Sequence, residues 1–309
     1  MARTGQSKRA APAAATSPAA SDGARAPGLP AGLYLAATPI GASGDVTLRT
    51  LDALARADVI AAEDTRRALK LMMIHGVARA GRPLIAYHDH NGREARPGLL
   101  ARIEAGASVI CVTDAGTPLI ADPGWKLAEE AIARGLPVTA LPGASALLTA
   151  LVVAGLPTDR FMFAGFSPPK QAARRADLAA LKGVPATLVF YESPRRLGAL
   201  LADMVLVFGG ARRAAVCREL TKMHEEVRRG SLAELADIYA GPPPKGEIVV
   251  CVGPPLAAPA SEEEIDAALK AALREMGVRD AAAAVAAALD LPRRSVYARA
   301  LALAGEERR

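Results

Sequence analysis

Short apolar runs alternate with stretches of mixed polarity along the first half of this 309-residue chain. Leu33–Ala37 is apolar throughout and leads into the small-residue loop Thr38-Pro39-Ile40-Gly41-Ala42-Ser43-Gly44-Asp45. The spacing beyond it predicts a helix over 46–57, with Asp45 placed to cap it. A strand at 58–62 ends at Glu63-Asp64-Thr65-Arg66, and a helix over 65–75 stops at Gly76. A strand at 84–87 ends at His88-Asp89-His90-Asn91, and a helix over 94–105 stops at Gly106. A strand is predicted at 108–112, apolar without a break from Val109 to Val112, as in a parallel strand covered on both faces. A helix over 124–134 stops at Gly135, and a strand at 137–141 reaches Pro142-Gly143-Ala144-Ser145-Ala146, which opens the next helix. Glycine after each helix suits a left-handed C′ position. Strands alternating with helices in this way predict a mainly parallel α/β sheet.

The rhythm changes after Gly155-Leu156-Pro157. Strands are predicted at 161–166, 187–191, 213–217, 224–229 and 248–252, and helices at 170–182 and 231–240. Two of the strands lie close together, so this second α/β domain is more mixed in direction. After a Pro/Ala-rich linker at 255–260, short helices are expected over 262–276, 280–288 and 293–303. The expected domains are a tail at 1–28, α/β domains at 29–141 and 142–254, and a helical extension at 261–309. That extension is patterned like a helix-turn-helix whose last helix carries Arg293, Arg294, Ser295 and Arg299; a small helical cap with a solvated face fits equally.

Composition narrows the class. No run reaches the ~18 apolar residues of a membrane span. Residues 1–28 hold Arg3, Lys8, Arg9 and Arg25 against Asp22 and almost no large side chains, which reads as a disordered basic tail. Cys111, Cys217 and Cys251 each fall in an apolar strand, so they read as core residues in a reducing, cytoplasmic setting. Of the net +6, the tail carries +3 and residues 261–309 carry −1, leaving +4 on the α/β domains. That is a mild bias towards an anionic partner.

Three loops at carboxyl ends of predicted strands share small residues: 38–45, 113–118 and 142–146. Ligands of open α/β sheets lie at such ends. Within Thr113-Asp114-Ala115-Gly116-Thr117-Pro118, Asp114 is either a ligand-facing acid or the cap of the next helix. There is no Walker pattern and no Gly-x-Gly-x-x-Gly after the first strand, which argues against a P-loop nucleotidase and a usual dinucleotide domain. A compact ligand read by main-chain groups is expected, and S-adenosylmethionine fits this description. Its carboxylate can accept from main-chain N–H groups at a helix N-terminus.

Thr38-Pro39-Ile40-Gly41, Ala62-Glu63-Asp64-Thr65-Arg66, His88-Asp89-His90-Asn91, Thr113-Asp114-Ala115-Gly116-Thr117-Pro118, Phe190-Tyr191-Glu192-Ser193-Pro194, Arg218-Glu219-Leu220-Thr221-Lys222 and Lys245-Gly246-Glu247 follow one another in that order. Together they resemble the ribosomal RNA small-subunit methyltransferase I family of the tetrapyrrole-methylase superfamily, over about residues 33–254, and the helical tail resembles that family's extension. Ala42, Ala144 and Arg195 depart from its usual Asn, Pro and His. The resemblance implies a two-domain tetrapyrrole-methylase-like fold with a small C-terminal helical extension, a cofactor cleft between the domains and a homodimer. It implies methyl transfer from S-adenosylmethionine to the ribose 2′-oxygen of a cytidine in 16S RNA, in the 30S subunit. Carried over by position, the cofactor residues are Pro39, Asp114, Ala115, Gly116, Ser145, Ala146, Phe190, Tyr191, Glu219, Leu220 and Gly246.

Deprotonating the attacking hydroxyl calls for a base. Asp64, Asp89 and Glu192 are the catalytic candidates, with His88 and His90 beside them. The two histidines lack further His or Cys partners and make a poor zinc set, so no metal is expected. Arg66, Arg195, Arg196, Lys222 and Lys245 are candidates for RNA phosphate. Two rival readings remain: a tetrapyrrole-precursor methyltransferase of the same fold, and a DNA-binding helix-turn-helix protein with a sensor domain. The basic bias, the helical tail and Thr-Pro-Ile-Gly in the first loop favour RNA.

Overall fold

In the computed structural model, which describes residues 28–88, 90–120, 125–256, 261–289 and 291–306, the apolar runs of the first half become one parallel sheet. Strands β1 (Gly32–Ala36), β2 (Val59–Ala62), β3 (Leu84–Ala86), β4 (Ser108–Val112) and β5 (Val138–Leu141) lie in the order β3-β2-β4-β1-β5. β1 pairs in parallel with β4 and β5, and β2 with β3 and β4. Helices α1 (Leu48–Arg56) and α2 (Thr65–Ile74) cover one face, where Leu54, Ala68 and Met72 pack with Ile60, Ile110 and Leu141. Helices α3 (Gly92–Glu104) and α4 (Trp125–Ala133) cover the other, where Leu99, Ile103 and Leu127 pack with Val59, Val109 and Cys111. Cover on both faces is why β4 is buried at every position. Cys111, Cys217 and Cys251 are all buried.

Local chemistry sets the helix ends. Thr47 caps α1, its Oγ1 accepting from Thr50 N at 3.1 Å. Asp45 is not the cap that its spacing suggests, because Ser43–Asp45 forms a 3-10 turn that shifts the helix start to Leu48. The buried Arg82 donates to the Leu54 and Ala57 carbonyls, satisfying acceptors at the end of α1. Gly76 ends α2 at φ +67°, a conformation that costs glycine nothing.

Helix α5 (Ala146–Val153) follows β5. The second sheet holds β6 (Phe161–Phe166), β7 (Thr187–Glu192), β8 (Arg213–Arg218), β9 (Glu226–Ser231) and β10 (Ile248–Val252), in the order β6-β7-β10-β8-β9. β6 and β7 are parallel, and β7 and β10 antiparallel, so this sheet is mixed as expected. Helices α6 (Gln171–Leu181), α7 (Leu197–Phe208) and α8 (Leu232–Ile238) complete it. Its core joins Leu178, Leu188, Phe190, Leu200, Met204, Leu235 and Val250. The buried Asp203 of α7 accepts from Arg174 Nε at 2.8 Å and Arg175 Nε at 2.6 Å, tying α7 to α6. Burial opposes the charge on Asp203, but the two guanidiniums outweigh it and hold the carboxyl below its ordinary value.

The chain divides into two compact units. The first runs to Val153 and takes in Cys217–Glu226; the second holds Ala154–Val216 and resumes at Val227. The division therefore falls after α5, later than the expected 141/142. The 142–146 loop is held within the first unit: Thr117 Oγ1 donates to Ala144 O at 3.0 Å. A Cβ on Gly143 would stand 2.9 Å from Ala37 Cβ, so that loop also packs closely on the end of β1. At the C-terminus, α9 (Glu262–Leu273), α10 (Val278–Ala288) and α11 (Arg293–Glu306) close around Leu269, Val285, Val296, Ala300 and Leu303. Residues 1–27 of the expected tail and 257–260 of the expected linker lie outside the described residues.

Candidate active site

The first sheet has a switch point between β1 and β4. From β1 the chain crosses towards β2, and from β4 it crosses the opposite way to β5. Connections that part in this manner leave a crevice at the carboxyl ends of the strands. The loops that leave β1 and β4 meet there. Thr38 N donates to Gly116 O and Gly116 N to Thr38 O, both at 2.9 Å. Thr38 Oγ1 donates to Thr113 O at 3.1 Å. Gly116 takes φ +78°, which favours glycine, and a Cβ there would crowd Ile40 Cγ2 at 3.3 Å.

A third loop, 142–146, joins this pair through the Thr117–Ala144 bond. A fourth comes from Cys217–Glu226. Ala42 N donates to Thr221 Oγ1 at 3.1 Å, and a Cβ on Gly41 would lie 2.5 Å from Lys222 Cγ. Glu219 and Thr221 both have positive φ, at 52° and 62°, an uncommon conformation for such residues. The first unit thus gathers Pro39, Asp114, Ala115, Gly116, Ser145, Ala146, Glu219 and Leu220 on four mutually bonded loops. Phe190, Tyr191 and Gly246 belong to the second unit. The Phe190 side chain is fully buried in that unit's core, which leaves its main chain for any ligand. Tyr191 packs edge-on against Phe163 and Phe166, and Gly246 is exposed at φ +102°.

Acidic side chains run behind the β4 loop. Glu63 Oε2 accepts from Thr113 Oγ1 at 2.7 Å and from Asp114 N at 3.1 Å. Asp114 Oδ1 in turn accepts from Asp64 N at 3.0 Å, and its Oδ2 lies 3.4 Å from Arg67 Nε. Burial and the Glu63 charge push the Asp114 carboxyl above its ordinary value, against the pull of Arg67. Glu63 is not among the catalytic or cofactor candidates that the sequence offers. Its signal was its place beside Asp64 at the end of a strand.

The proposed bases have fixed partners. Asp64 caps α2, accepting from Arg66 N at 2.8 Å and from the Arg66 guanidinium at 2.7 Å. Those bonds hold its carboxyl far below its ordinary value, which makes it a weak proton acceptor. Glu192 is buried; it accepts from Ser167 Oγ at 2.5 Å and Ser193 N at 2.8 Å, and Arg196 lies 3.0 Å away. Asp89 lies outside the described residues. His88 and His90 stack edge-on with centroids 6.0 Å apart. Among the described residues no group of three His, Cys, Asp or Glu side chains is placed to hold a metal.

The cations differ as well. Arg66 is 89% exposed despite its bond to Asp64, and Arg195 and Lys245 are exposed. Arg196 is bound to the Ser167 carbonyl and hydroxyl, and Lys222 to Glu219 at 2.8 Å.

A parallel sheet carrying glycine loops at its switch point, followed by a mixed five-stranded sheet, is the layout of a known methylase class. The family described as tetrapyrrole (corrin/porphyrin) methylases matches residues 32–236, and the RsmI C-terminal HTH domain matches residues 259–304. The solved methyltransferase CobJ shares the fold at a TM-score of 0.54 and 21% identity, over 72% of this chain and 93% of its own. Within that class the chain belongs to the ribosomal RNA small subunit methyltransferase I family. The protein of that name from Mesorhizobium japonicum is 50% identical over 88% of this chain and 92% of its own length. The one from Mycobacterium tuberculosis is 49% identical over 83% and 89%.

Proposed function

We propose that this protein transfers a methyl group from S-adenosylmethionine to the ribose 2′-oxygen of a cytidine in 16S ribosomal RNA. The carrying observation is that likeness to the RNA methyltransferases extends through both α/β units and into the C-terminal module. The likeness to tetrapyrrole methylases covers residues 32–236 and stops short of that module, which makes a tetrapyrrole-precursor methylase the second reading.

The bound cofactor supplies an electrophilic methyl on a sulfonium. The residues present suit such a cation. Glu63 and Asp114 bring two carboxylates to one loop, and the raised Asp114 carboxyl is relieved by a positive ligand. The reading draws on main-chain groups at Pro39, Ala115, Gly116, Ser145, Ala146, Glu219 and Leu220, and on Phe190, Tyr191 and Gly246 from the second unit. Positioning supplies much of the acceleration, because the leaving group is already activated. Asp64 orients the start of α2, and Glu192 orients Ser167 and Arg196; Asp89 remains the proposed proton acceptor. Arg66, Arg195 and Lys245 take RNA phosphates, whereas Arg196 and Lys222 brace the loops that carry them.

The expected partners are the 30S subunit and a second copy of the chain, and the expected setting is cytoplasmic. Leu148 and Val152 of α5 and Met73 of α2 expose apolar surface that suits a dimer. No helix among the described residues is long and apolar enough to cross a membrane. The test uses purified protein, methyl-labelled S-adenosylmethionine and 30S subunits lacking the modification. Label on a cytidine ribose is the expected result; no label on ribose ends the reading.

A further inference from the structure

A cavity in the first unit borders the β4 loop at Thr113 and Pro118. It lies beyond the ends of β2, β3 and β4, with a volume of about 510 Å³. That is within the usual range for small-ligand pockets. Its wall combines Glu63, Tyr87 and His88 with Arg93, Trp125 and Lys126. Each offers something a nucleotide needs. Trp125, at the first turn of α4, is 49% exposed although it is the chain's single tryptophan. Lys126 holds its ammonium 5.8 Å from that ring, and Arg93 adds a second cation. His88 Nδ1 is buried without a hydrogen-bond partner among the described residues. An orphaned buried nitrogen costs free energy unless a ligand completes it. Leu119 in the same wall is held at φ +71°, an outlier for a branched side chain and a kind of strain that gathers at binding sites.

We infer that this cavity receives the cytosine of the target nucleotide and that Glu63 reads its exocyclic amine. This deepens the proposed function and rests on it. Glu63 Oε2 is committed to Thr113 Oγ1 and Asp114 N, while no hydrogen bond from a described residue reaches Oε1. A carboxylate oxygen accepts from cytosine N4–H2, whereas uracil would turn its own O4 acceptor towards it. Single-stranded RNA bases are commonly splayed out, stacked on an aromatic ring and read along the Watson–Crick edge. Trp125 is the stacking platform, and Arg93 and Lys126 take the flanking phosphates. The link between Glu63 and Asp114 N places the base beside the β4 loop, so the attached ribose arrives next to the proposed methyl donor. Glu63 is thus a specificity residue, and the same side chain braces the loop.

The experiment compares wild type with Glu63→Gln on two 30S preparations, carrying cytidine or uridine at the position wild type methylates. The carboxamide keeps an oxygen for Thr113 and Asp114 but can turn its NH2 into the cavity. Wild type is expected to prefer cytidine by about tenfold or more, and Glu63→Gln to bring the two rates within about threefold. Because Glu63 also holds Asp114 beside the proposed cofactor, both rates are taken at saturating S-adenosylmethionine, with calorimetry on each protein setting that concentration, so the cytidine-to-uridine ratio reads the base alone. A cytidine preference kept unchanged in Glu63→Gln overturns the assignment while leaving the methyltransferase intact. Absence of methyl transfer by wild type to any cytidine ribose overturns the underlying function as well. If Glu63→Gln loses cofactor binding, Trp125→Ala decides. A rise in KM for 30S of about tenfold at unchanged cofactor affinity supports the cavity, and an unchanged KM overturns it.

Discussion

Asp114 shows how one side chain is set by its surroundings. It accepts from Asp64 N, faces Arg67, and has its own amide held by Glu63. Burial and Glu63 raise its carboxyl above the ordinary 3.8. The sign of the linkage follows. Between 3.8 and the raised value, the folded protein binds more protons than the unfolded chain, so stability falls as pH rises through that window. A cationic ligand favours the ionised form, so its affinity rises over the same window and then levels off. S-adenosylhomocysteine, neutral at sulfur, should show a weaker dependence. Calorimetry across that range measures both, and parallel curves would remove Asp114 from the sulfonium. Asp114→Asn keeps an acceptor for Asp64 N while removing the charge. It is expected to weaken S-adenosylmethionine by about 1.5–3 kcal/mol, roughly 10- to 100-fold.

At the scale of elements, the helix that follows the first loop depends on its cap. Thr47 Oγ1 accepts from Thr50 N, and Thr47→Ala leaves that donor without a partner. The expected cost is about 1 kcal/mol, read as a lower urea midpoint at unchanged slope. Asp45→Ala should move the midpoint by much less, since it caps nothing. The placement of these two residues shows what was legible. Strands 108–112, 161–166 and 248–252 match the structure to the residue, because uninterrupted apolar runs bounded by turns leave little choice. The cap slipped because a 3-10 turn over Ser43–Asp45 leaves no periodic trace. Helix α7 was not anticipated at all. Leu197–Phe208 is apolar at nearly every position, so no 3.6-residue stripe stands out from it. Nothing in that run marks its lone acid, Asp203, as buried, and only packing brings Arg174 and Arg175 to it. The site was legible to the same degree. Loops carrying Pro39, Asp114 and Gly116 were visible as small residues at strand ends. The bond from Glu63 to Asp114 N, joining residues on separate strands, was not. Nor was the commitment of Asp64 to Arg66 and of Glu192 to Ser167.

Across the whole molecule, positive charge is placed where apolar packing does not need it. The C-terminal module carries a net −1 and closes a small core of its own. Yet Arg293 and Arg294 stand exposed at the first turn of α11, where no acidic residue accompanies them. Cations at a helix N-terminus oppose the macrodipole, whereas a phosphate bound there would satisfy both the dipole and the guanidiniums. Arg299, further along the helix, is already bound to Asp266 at 2.6 and 2.5 Å and is less available. A helix-turn-helix and a small cap with a solvated face, the two readings the sequence leaves open, differ in what Arg293 and Arg294 do. Replacing Arg293 and Arg294 together by Ala should weaken 30S binding while leaving S-adenosylmethionine affinity unchanged. If each contacts one phosphate, the slope of log affinity against log salt becomes shallower by about 1.4 on single-stranded RNA. Filter binding at several salt concentrations measures that slope. A slope identical to wild type would mean that α11 does not touch RNA and that the module serves as a cap.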